Sequence, residues 1–212
     1  MNEYVISISK EAIADMPVTT FSGPITLVET ASLACTALRA LAKERVVGFD
    51  TETRPSFRKG QLHNMALMQI STSERCFLFR INKIGISAEL KEFIENPSVL
   101  KIGLSLQDDF SVLRRSTQCE PQGFVDLQKM VKDFEIADTS LKKIYAILFG
   151  RRISKAQRLT NWEAESLTPQ QQAYAALDAV ACLDIYNLLK SGDFDPTLSP
   201  WRHLRNDERA KA

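Results

Sequence analysis

The sequence contains no apolar run long enough to span a membrane, which would need roughly 20 consecutive apolar residues. Its N-terminal segment also lacks a basic region followed by a long apolar stretch, so we expect no secretory signal peptide. Neither sign of charge is in excess, because 27 basic and 26 acidic residues leave a net charge of +1. Global charge therefore gives no indication of a nucleic-acid binder, and any basic surface must be local.

Cysteine is scarce, and its positions follow no pairing pattern. The four cysteines show neither the short paired spacing of a zinc site nor the dense framework of a disulfide-stabilised secreted protein. We expect free, mostly buried thiols in a reducing compartment, and hence a cytoplasmic protein. Their positions are Cys35, Cys76, Cys119 and Cys182. With 212 residues, 44% of them hydrophobic, the chain is long enough for one domain with a sizeable core.

The order of the predicted elements is typical of an α/β domain. Strands first follow one another and then alternate with helices, which favours a mixed sheet with helices on its faces. The strongest strand candidates are 46–53, 65–71, 76–81, 99–104 and 123–127, and 25–28 is a weaker one. We expect the strand at 46–53 to be central, because its first residues are the most continuously apolar. We interpret 1–24 as an N-terminal arm, 25–190 as the domain and 191–212 as a poorly ordered C-terminal tail.

Two carboxylates follow the apolar start of the central strand. Asp50 and Glu52 are separated by one residue, so the alternation of a strand places both side chains on the same face. Two unpaired carboxylates at the end of a buried strand are costly, and a divalent cation such as Mg²⁺ or Mn²⁺ removes that cost. The alternative is a strand that runs into a surface loop, with both acids facing water.

A third candidate carboxylate is one of two adjacent acids in a predicted helix. At about 100° of rotation per residue, Leu106, Phe110 and Leu113 fall on one buried face. Asp109 lies at the border of that face, whereas Asp108 points away from it. The helix register therefore selects Asp109 as the acid that reaches the site.

The fourth candidate lies on the long helix predicted after Thr168, which serves as its N-cap. Tyr174 and Asp178 are four residues apart and share one face, which is otherwise apolar. A carboxylate on the buried face of a helix is unusual and requires a partner. That partner is either a metal ion or, in the alternative interpretation, an arginine or a loop that Asp178 caps.

The order and spacing of these residues resemble the DEDD exonucleases of the tyrosine-containing subclass, DEDDy. This family includes the exonuclease domain of the Werner syndrome helicase and ribonuclease D. The resemblance extends over roughly 25–189 and rests also on the motifs GFDTET (48–53), ALMQI (66–70), DLQ (126–128) and SKAQRLTNWE (154–163). Because no helicase motif or second helical domain follows, we expect a free-standing exonuclease domain.

The resemblance implies a ribonuclease H-like α/β fold, with a mixed five-stranded sheet flanked by helices, and the removal of nucleotides from a 3′ end. It also implies two divalent metal ions, Mg²⁺ or Mn²⁺. Asp50 would bridge the ions, Glu52 and Asp178 would complete one site, and Asp109 would hold the second ion through water. Tyr174 would orient the attacking water, because a tyrosine of ordinary pKa is a poor base at neutral pH.

Substrate contacts are open to two interpretations each. Met68 either wedges against the terminal base or is an ordinary core residue. Lys155, Arg158 and Trp162 either contact phosphate and stack a base, or form a solvated basic loop that the tryptophan anchors to the core. The likeness to the Werner exonuclease domain favours DNA over RNA. A catalytically silent domain of the same fold is the competing interpretation, and the presence of all four acids argues against it.

Overall fold

The computed structural model describes residues 3–56 and 63–205. Its strands are β1 (Tyr4–Ile6), β2 (Val18–Thr19), β3 (Ile25–Val28), β4 (Val46–Thr53), β5 (Met65–Ser71), β6 (Cys76–Phe79), β7 (Leu100–Gly103), β8 (Phe124–Asp126), β9 (Arg152–Ile153) and β10 (Arg202–Leu204). Its α-helices are α1 (Lys10–Ala14), α2 (Ala31–Leu41), α3 (Ile81–Ile84), α4 (Ala88–Glu95), α5 (Gln107–Thr117), α6 (Leu127–Met130), α7 (Leu141–Phe149) and α8 (Pro169–Ser191). Short 3₁₀ helices cover Val131–Phe134 and Pro196–Leu198.

The main sheet has the strand order β3-β6-β5-β4-β7-β8. The β4–β5 and β5–β6 pairs are antiparallel, whereas β3, β7 and β8 pair in parallel with their neighbours. The predicted mixed sheet and the central position of β4 are therefore confirmed. The predicted number of five strands is wrong, because the short β3 adds a sixth strand at the edge beside β6.

Helix starts follow the side-chain caps that the sequence carries. The hydroxyls of Thr30, Ser87 and Thr168 each accept a hydrogen bond from the backbone N–H three residues later, at the starts of α2, α4 and α8. At α8 the Gln171 side chain bonds back to the Thr168 N–H, which completes a capping box ahead of the 23-residue helix. None of the helices in the described part of the chain, α8 included, combines the length and apolarity needed to cross a membrane.

The two ends of the described chain meet. β1 pairs antiparallel with β10, and the Arg202 side chain bonds the Glu135 carboxylate at 2.6 Å and lies over the Tyr4 ring. The expectation of a poorly ordered tail is therefore wrong for 193–205, because backbone pairing and this ion pair hold the segment. Residues 206–212 of the predicted tail lie outside the described residues. The domain boundaries themselves stay a prediction.

Helices cover both faces of the main sheet, and β4 contributes to both. Phe49 packs with α2, α4 and α5 on one face, while α8 lies across the other. Gly48 allows this helix to come very close, since a Cβ at position 48 would lie 2.0 Å from the Ala179 carbonyl oxygen. The four cysteines are free thiols, as the sequence predicts, and only Cys35 is not fully buried. The fold thus places the middle of α8 directly on the strand that carries Asp50.

Candidate active site

Three carboxylates converge where α8 crosses β4. Candidate ligand oxygens of Asp50, Glu52 and Asp178 all lie within 4.8 Å of one another. Strand alternation puts Asp50 and Glu52 on the face that α8 covers, and the contact at Gly48 brings Asp178 down to them. Among residues 3–56 and 63–205 this is the one group of three or more acidic, histidine or cysteine side chains with such spacing.

In the described part of the chain, the cations near this cluster do not offset the effect of burial on its carboxylates. Burial, followed by the charges of Asp178, Asp109 and Glu52, holds the pKa of Asp50 well above its ordinary value. Burial and the neighbouring carboxylates raise the pKa of Glu52 to about 8, and burial raises that of Asp178 to about 7. Among the described residues no arginine forms an ion pair with Asp178. The alternative in which an arginine neutralises Asp178 is therefore wrong, and the cluster has the charge that a cation would offset.

Asp109 reaches β4 through Thr51, the residue between the two strand carboxylates. The Thr51 hydroxyl donates a hydrogen bond to the Asp109 carboxylate, at the first turn of α5. Asp109 thus lies outside the group of three, but it is near enough to raise the pKa of Asp50 and Glu52. Burial raises its own pKa to about 6. Asp108 is exposed, so the predicted helix register is confirmed, while metal binding by Asp109 stays a prediction.

Tyr174 lies one turn before Asp178 and packs on Trp162, with ring centroids 6.1 Å apart and planes at 27°. Burial and the charges of Asp178 and Glu52 hold the pKa of Tyr174 well above its ordinary value. The phenol is therefore a neutral O–H donor at pH 7. A hydrogen bond with Tyr174 lowers the pKa of Asp178, but the opposite effect of burial is larger. This state suits the orienting role predicted for Tyr174 rather than that of a base.

Two of the predicted substrate contacts are wrong, because both side chains are fully buried. Met68 has no exposed surface and lies in the core on the sheet face opposite the carboxylates, where it pairs across from Thr51. Trp162 is also completely buried, between Tyr174 and the β5–β6 core. It presents no face to a base, so the structure supports the alternative in which Trp162 anchors its loop. Among the described residues the Trp162 indole N–H has no acceptor in hydrogen-bond geometry, yet its proximity lowers the pKa of Glu52.

Lys155 and Arg158 are exposed cations that face the carboxylates. Lys155 lowers the pKa of Asp178, and Arg158 lowers that of Glu52, in each case against the larger effect of burial. Lys155 also lines a cavity of about 190 Å³ together with Asp50, Tyr174 and Asp178, which we call the carboxylate cavity. The two cations are thus placed to meet a phosphate at the carboxylates, and their role in binding stays a prediction.

Comparison with known proteins places this arrangement in a family. Residues 25–192 match the family model described as 3′–5′ exonuclease. The chain belongs to the 3′–5′ exonuclease family. It is 34% identical over 150 residues to the mouse protein "Bifunctional 3′-5′ exonuclease/ATP-dependent helicase WRN", an alignment covering 68% of this chain and 11% of that one. It is 33% identical over 150 residues to an Arabidopsis thaliana "3′-5′ exonuclease", covering 68% and 52%. The chain therefore spans about a tenth and about half of these two relatives.

Solved structures of this exonuclease family share the fold. The Nibbler exonuclease domain of Aedes aegypti superimposes with a TM-score of 0.74 at 21% identity, over 85% of this chain and 96% of that one. Ribonuclease D of Trypanosoma brucei in complex with RNA U12 gives a TM-score of 0.70 at 19% identity, over 79% and 63%. The predicted ribonuclease H-like fold and DEDDy membership are confirmed.

Several residues around the site were not predicted from the sequence. Gln69 pairs with Asp50 across β4 and β5 and is fully buried, and its amide nitrogen and oxygen have no partner among the described residues. The sequence signal for Gln69 is a single amide side chain within a largely apolar strand. Ser140 and Lys142, at the start of α7, also line the carboxylate cavity. No local pattern indicates them, because only the packing of α7 beside α8 brings them there.

Proposed function

We propose that the chain is a metal-dependent exonuclease that hydrolyses phosphodiester bonds from the 3′ end of nucleic acid. The observation that carries this proposal is the convergence of Asp50, Glu52 and Asp178 within 4.8 Å, beside a neutral tyrosine. Family membership supports the reaction, and the matched segment 25–192 contains every residue of the cluster. Glycosidases also use paired carboxylates, but that chemistry gives no role to a third and fourth acid.

The donor set fits divalent metal ions. Carboxylate oxygens are the ligands that Mg²⁺ and Mn²⁺ prefer, and the raised pKa values show a cost of ionisation that a cation would remove. We propose two ions, with Asp50 shared between them, Glu52 and Asp178 on one, and Asp109 acting through water on the other. When bound, such ions activate a water molecule and stabilise the oxygen that leaves.

The protein's own residues then position the reactants. The Tyr174 O–H donates a hydrogen bond that orients the attacking water, and the contact with Trp162 restricts the ring. Lys155 and Arg158 attract the phosphates of the strand at the edge of the carboxylate cavity. Their exposure leaves room for a flexible polymer rather than a small enclosed substrate.

DNA is the substrate that we favour. This choice rests on the likeness to the Werner exonuclease domain. The mouse relative at 34% identity supports this choice. RNA is the second candidate, because a ribonuclease D complexed with RNA shares the fold. A cytoplasmic location is part of the same proposal, and the four free thiols support it.

The experiment that tests the reaction uses 5′-labelled single-stranded DNA, duplex DNA and RNA with Mn²⁺. A ladder that shortens one nucleotide at a time from the 3′ end supports the proposal, and the relative rates identify the preferred polymer. Binding without any ladder would support the catalytically silent alternative. The same assay compares Asp109→Asn with Asp108→Asn. The second variant is the matched control, because Asp108 is adjacent in sequence but its side chain is exposed.

A further inference from the structure

A second cavity lies on the other side of Tyr174. It encloses about 340 Å³ between the N-terminal arm, the segment after β9 and the first turns of α8. Tyr174 lines both this cavity and the carboxylate cavity. We call it the arm cavity, because residues 18–21 of the arm form one of its walls. The Tyr174 ring therefore separates this cavity from the candidate active site.

Alternation along the segment after β9 separates the two cavities. Ile153 and Lys155 line the carboxylate cavity, whereas Ser154 and Ala156 line the arm cavity. β9 is held in place by parallel pairing with β2, in which Thr19 lies opposite Ile153. The wall between the cavities is therefore one extended segment plus one aromatic ring.

The lining of the arm cavity suits a neutral, flat and partly polar ligand. Phe21 and Tyr174 supply aromatic surface, while Gln157, Gln170 and Ser154 supply hydrogen-bonding groups. None of its lining residues is charged, so the cavity lacks both the cation that a phosphate prefers and the carboxylate that a metal ion prefers. A nucleobase has this combination of an aromatic face and a polar edge. Its phosphates would remain outside, near Lys155.

We infer that the arm cavity binds a nucleobase of the substrate strand on the 5′ side of the scissile phosphate. The inference rests on the proposed function and adds a subsite to it. The direction follows from the reaction: only the 5′ side of a 3′-terminal bond carries further nucleotides, and Lys155, exposed and lining the carboxylate cavity, is placed to meet the phosphates on that side. Residues 18–21, which form one wall of the cavity, lie outside the matched 25–192, whereas the other lining residues lie within it.

The direct test is the fluorescence of 2-aminopurine placed second from the 3′ end of a single-stranded DNA 12-mer. Terminal phosphorothioate linkages protect the strand from hydrolysis. We expect the 2-aminopurine fluorescence to change on protein binding when the base is second from the 3′ end. It should not change when the base is eighth from the 3′ end. Val18→Trp and Gln170→Trp fill the cavity from opposite walls, and both should abolish the change and weaken binding about tenfold. Two variants are used so that a folding defect in one does not decide the result.

Leu198→Trp is the matched control, because it adds the same side chain at an 80% exposed position outside the cavity. The p-nitrophenyl ester of thymidine 5′-monophosphate lacks a base on the 5′ side, so its hydrolysis by the unmodified protein tests the proposed function alone. Absence of that hydrolysis and of any oligonucleotide cleavage would reject the function. Hydrolysis with no position-dependent 2-aminopurine signal, or with equal losses on ester and oligonucleotide in the filled variants, would overturn the subsite.

Discussion

The hydroxyl of Thr51 donates a hydrogen bond to the carboxylate of Asp109, which ties the first turn of α5 to the strand that carries Asp50 and Glu52. Thr51 thereby fixes the position of an acid that comes from a different element. The contact also distinguishes Asp109 from its exposed neighbour Asp108.

Asp109→Ala should therefore abolish cleavage, with a loss of about a hundredfold or more, because the proposed second metal site would lose its protein contact. Asp108→Ala should keep most of the activity. Initial rates on the labelled DNA substrate measure both. The reverse order would show that the placement of the second ion is wrong.

Gly48→Ala should separate α8 from β4. A Cβ at position 48 would lie 2.0 Å from the Ala179 carbonyl oxygen and 2.4 Å from the Ser71 hydroxyl. Backbone must move to relieve the first contact, so we expect a loss of about 1–3 kcal/mol in the free energy of unfolding and a large loss of activity. Urea denaturation measures the change in the free energy of unfolding. Adding Ser71→Ala should not rescue either property, and a full rescue would show that the carbonyl is not the obstacle.

Tyr174→Phe should fold normally and bind metal, because only a hydroxyl is removed and the contact with Trp162 remains. Cleavage should slow by about tenfold to a hundredfold, since the attacking water loses its hydrogen bond. Single-turnover kinetics at saturating Mn²⁺ measure the step. An unchanged rate would assign Tyr174 to packing alone.

The metal-free protein should lose stability as the pH rises. The pKa values of Glu52 and Asp178 are raised to about 8 and about 7 in the folded protein, while those of the unfolded chain are near 4. The folded state thus favours the protonated forms, and their contribution to stability is lost as the pH rises through this window. In EDTA, the melting temperature should fall between pH 5 and pH 7.5.

Asp50→Asn removes one of the carboxyl groups whose pKa is raised on folding and should flatten that dependence. Mn²⁺ should raise the melting temperature of the unmodified protein more at pH 7.5 than at pH 5, because binding must displace fewer protons. A melting temperature in EDTA that rises with pH over this range would contradict the assigned electrostatics.

Local signals in the sequence were sufficient for most elements. The Thr168 cap and Pro169 predicted the start of α8 at the residue where the structure has it. Alternation predicted that Asp50 and Glu52 share a face, and helix geometry predicted the choice of Asp109 over Asp108. These features depend on neighbours within a few residues, so the sequence carries them directly.

The missed features depend on contacts between distant segments. The pairing of β1 with β10 joins the two ends of the described chain. Neither strand has a sequence pattern that indicates its partner. The sequence of the basic loop that contains Trp162 does not indicate which of its side chains points into the core. Only the packing of the folded protein shows that Trp162 is buried. The arm cavity likewise exists only once β2 pairs with β9.

The most direct test of the account is the rate of 3′-end shortening as a function of metal ion, measured for the unmodified protein and for Asp50→Ala. We predict activity with Mg²⁺ or Mn²⁺, complete loss in excess EDTA, and a decrease of more than about a hundredfold in Asp50→Ala, because the two proposed ions would lose the ligand that they share. Full activity in EDTA, or an Asp50→Ala protein that shortens DNA at the unmodified rate, would contradict the account.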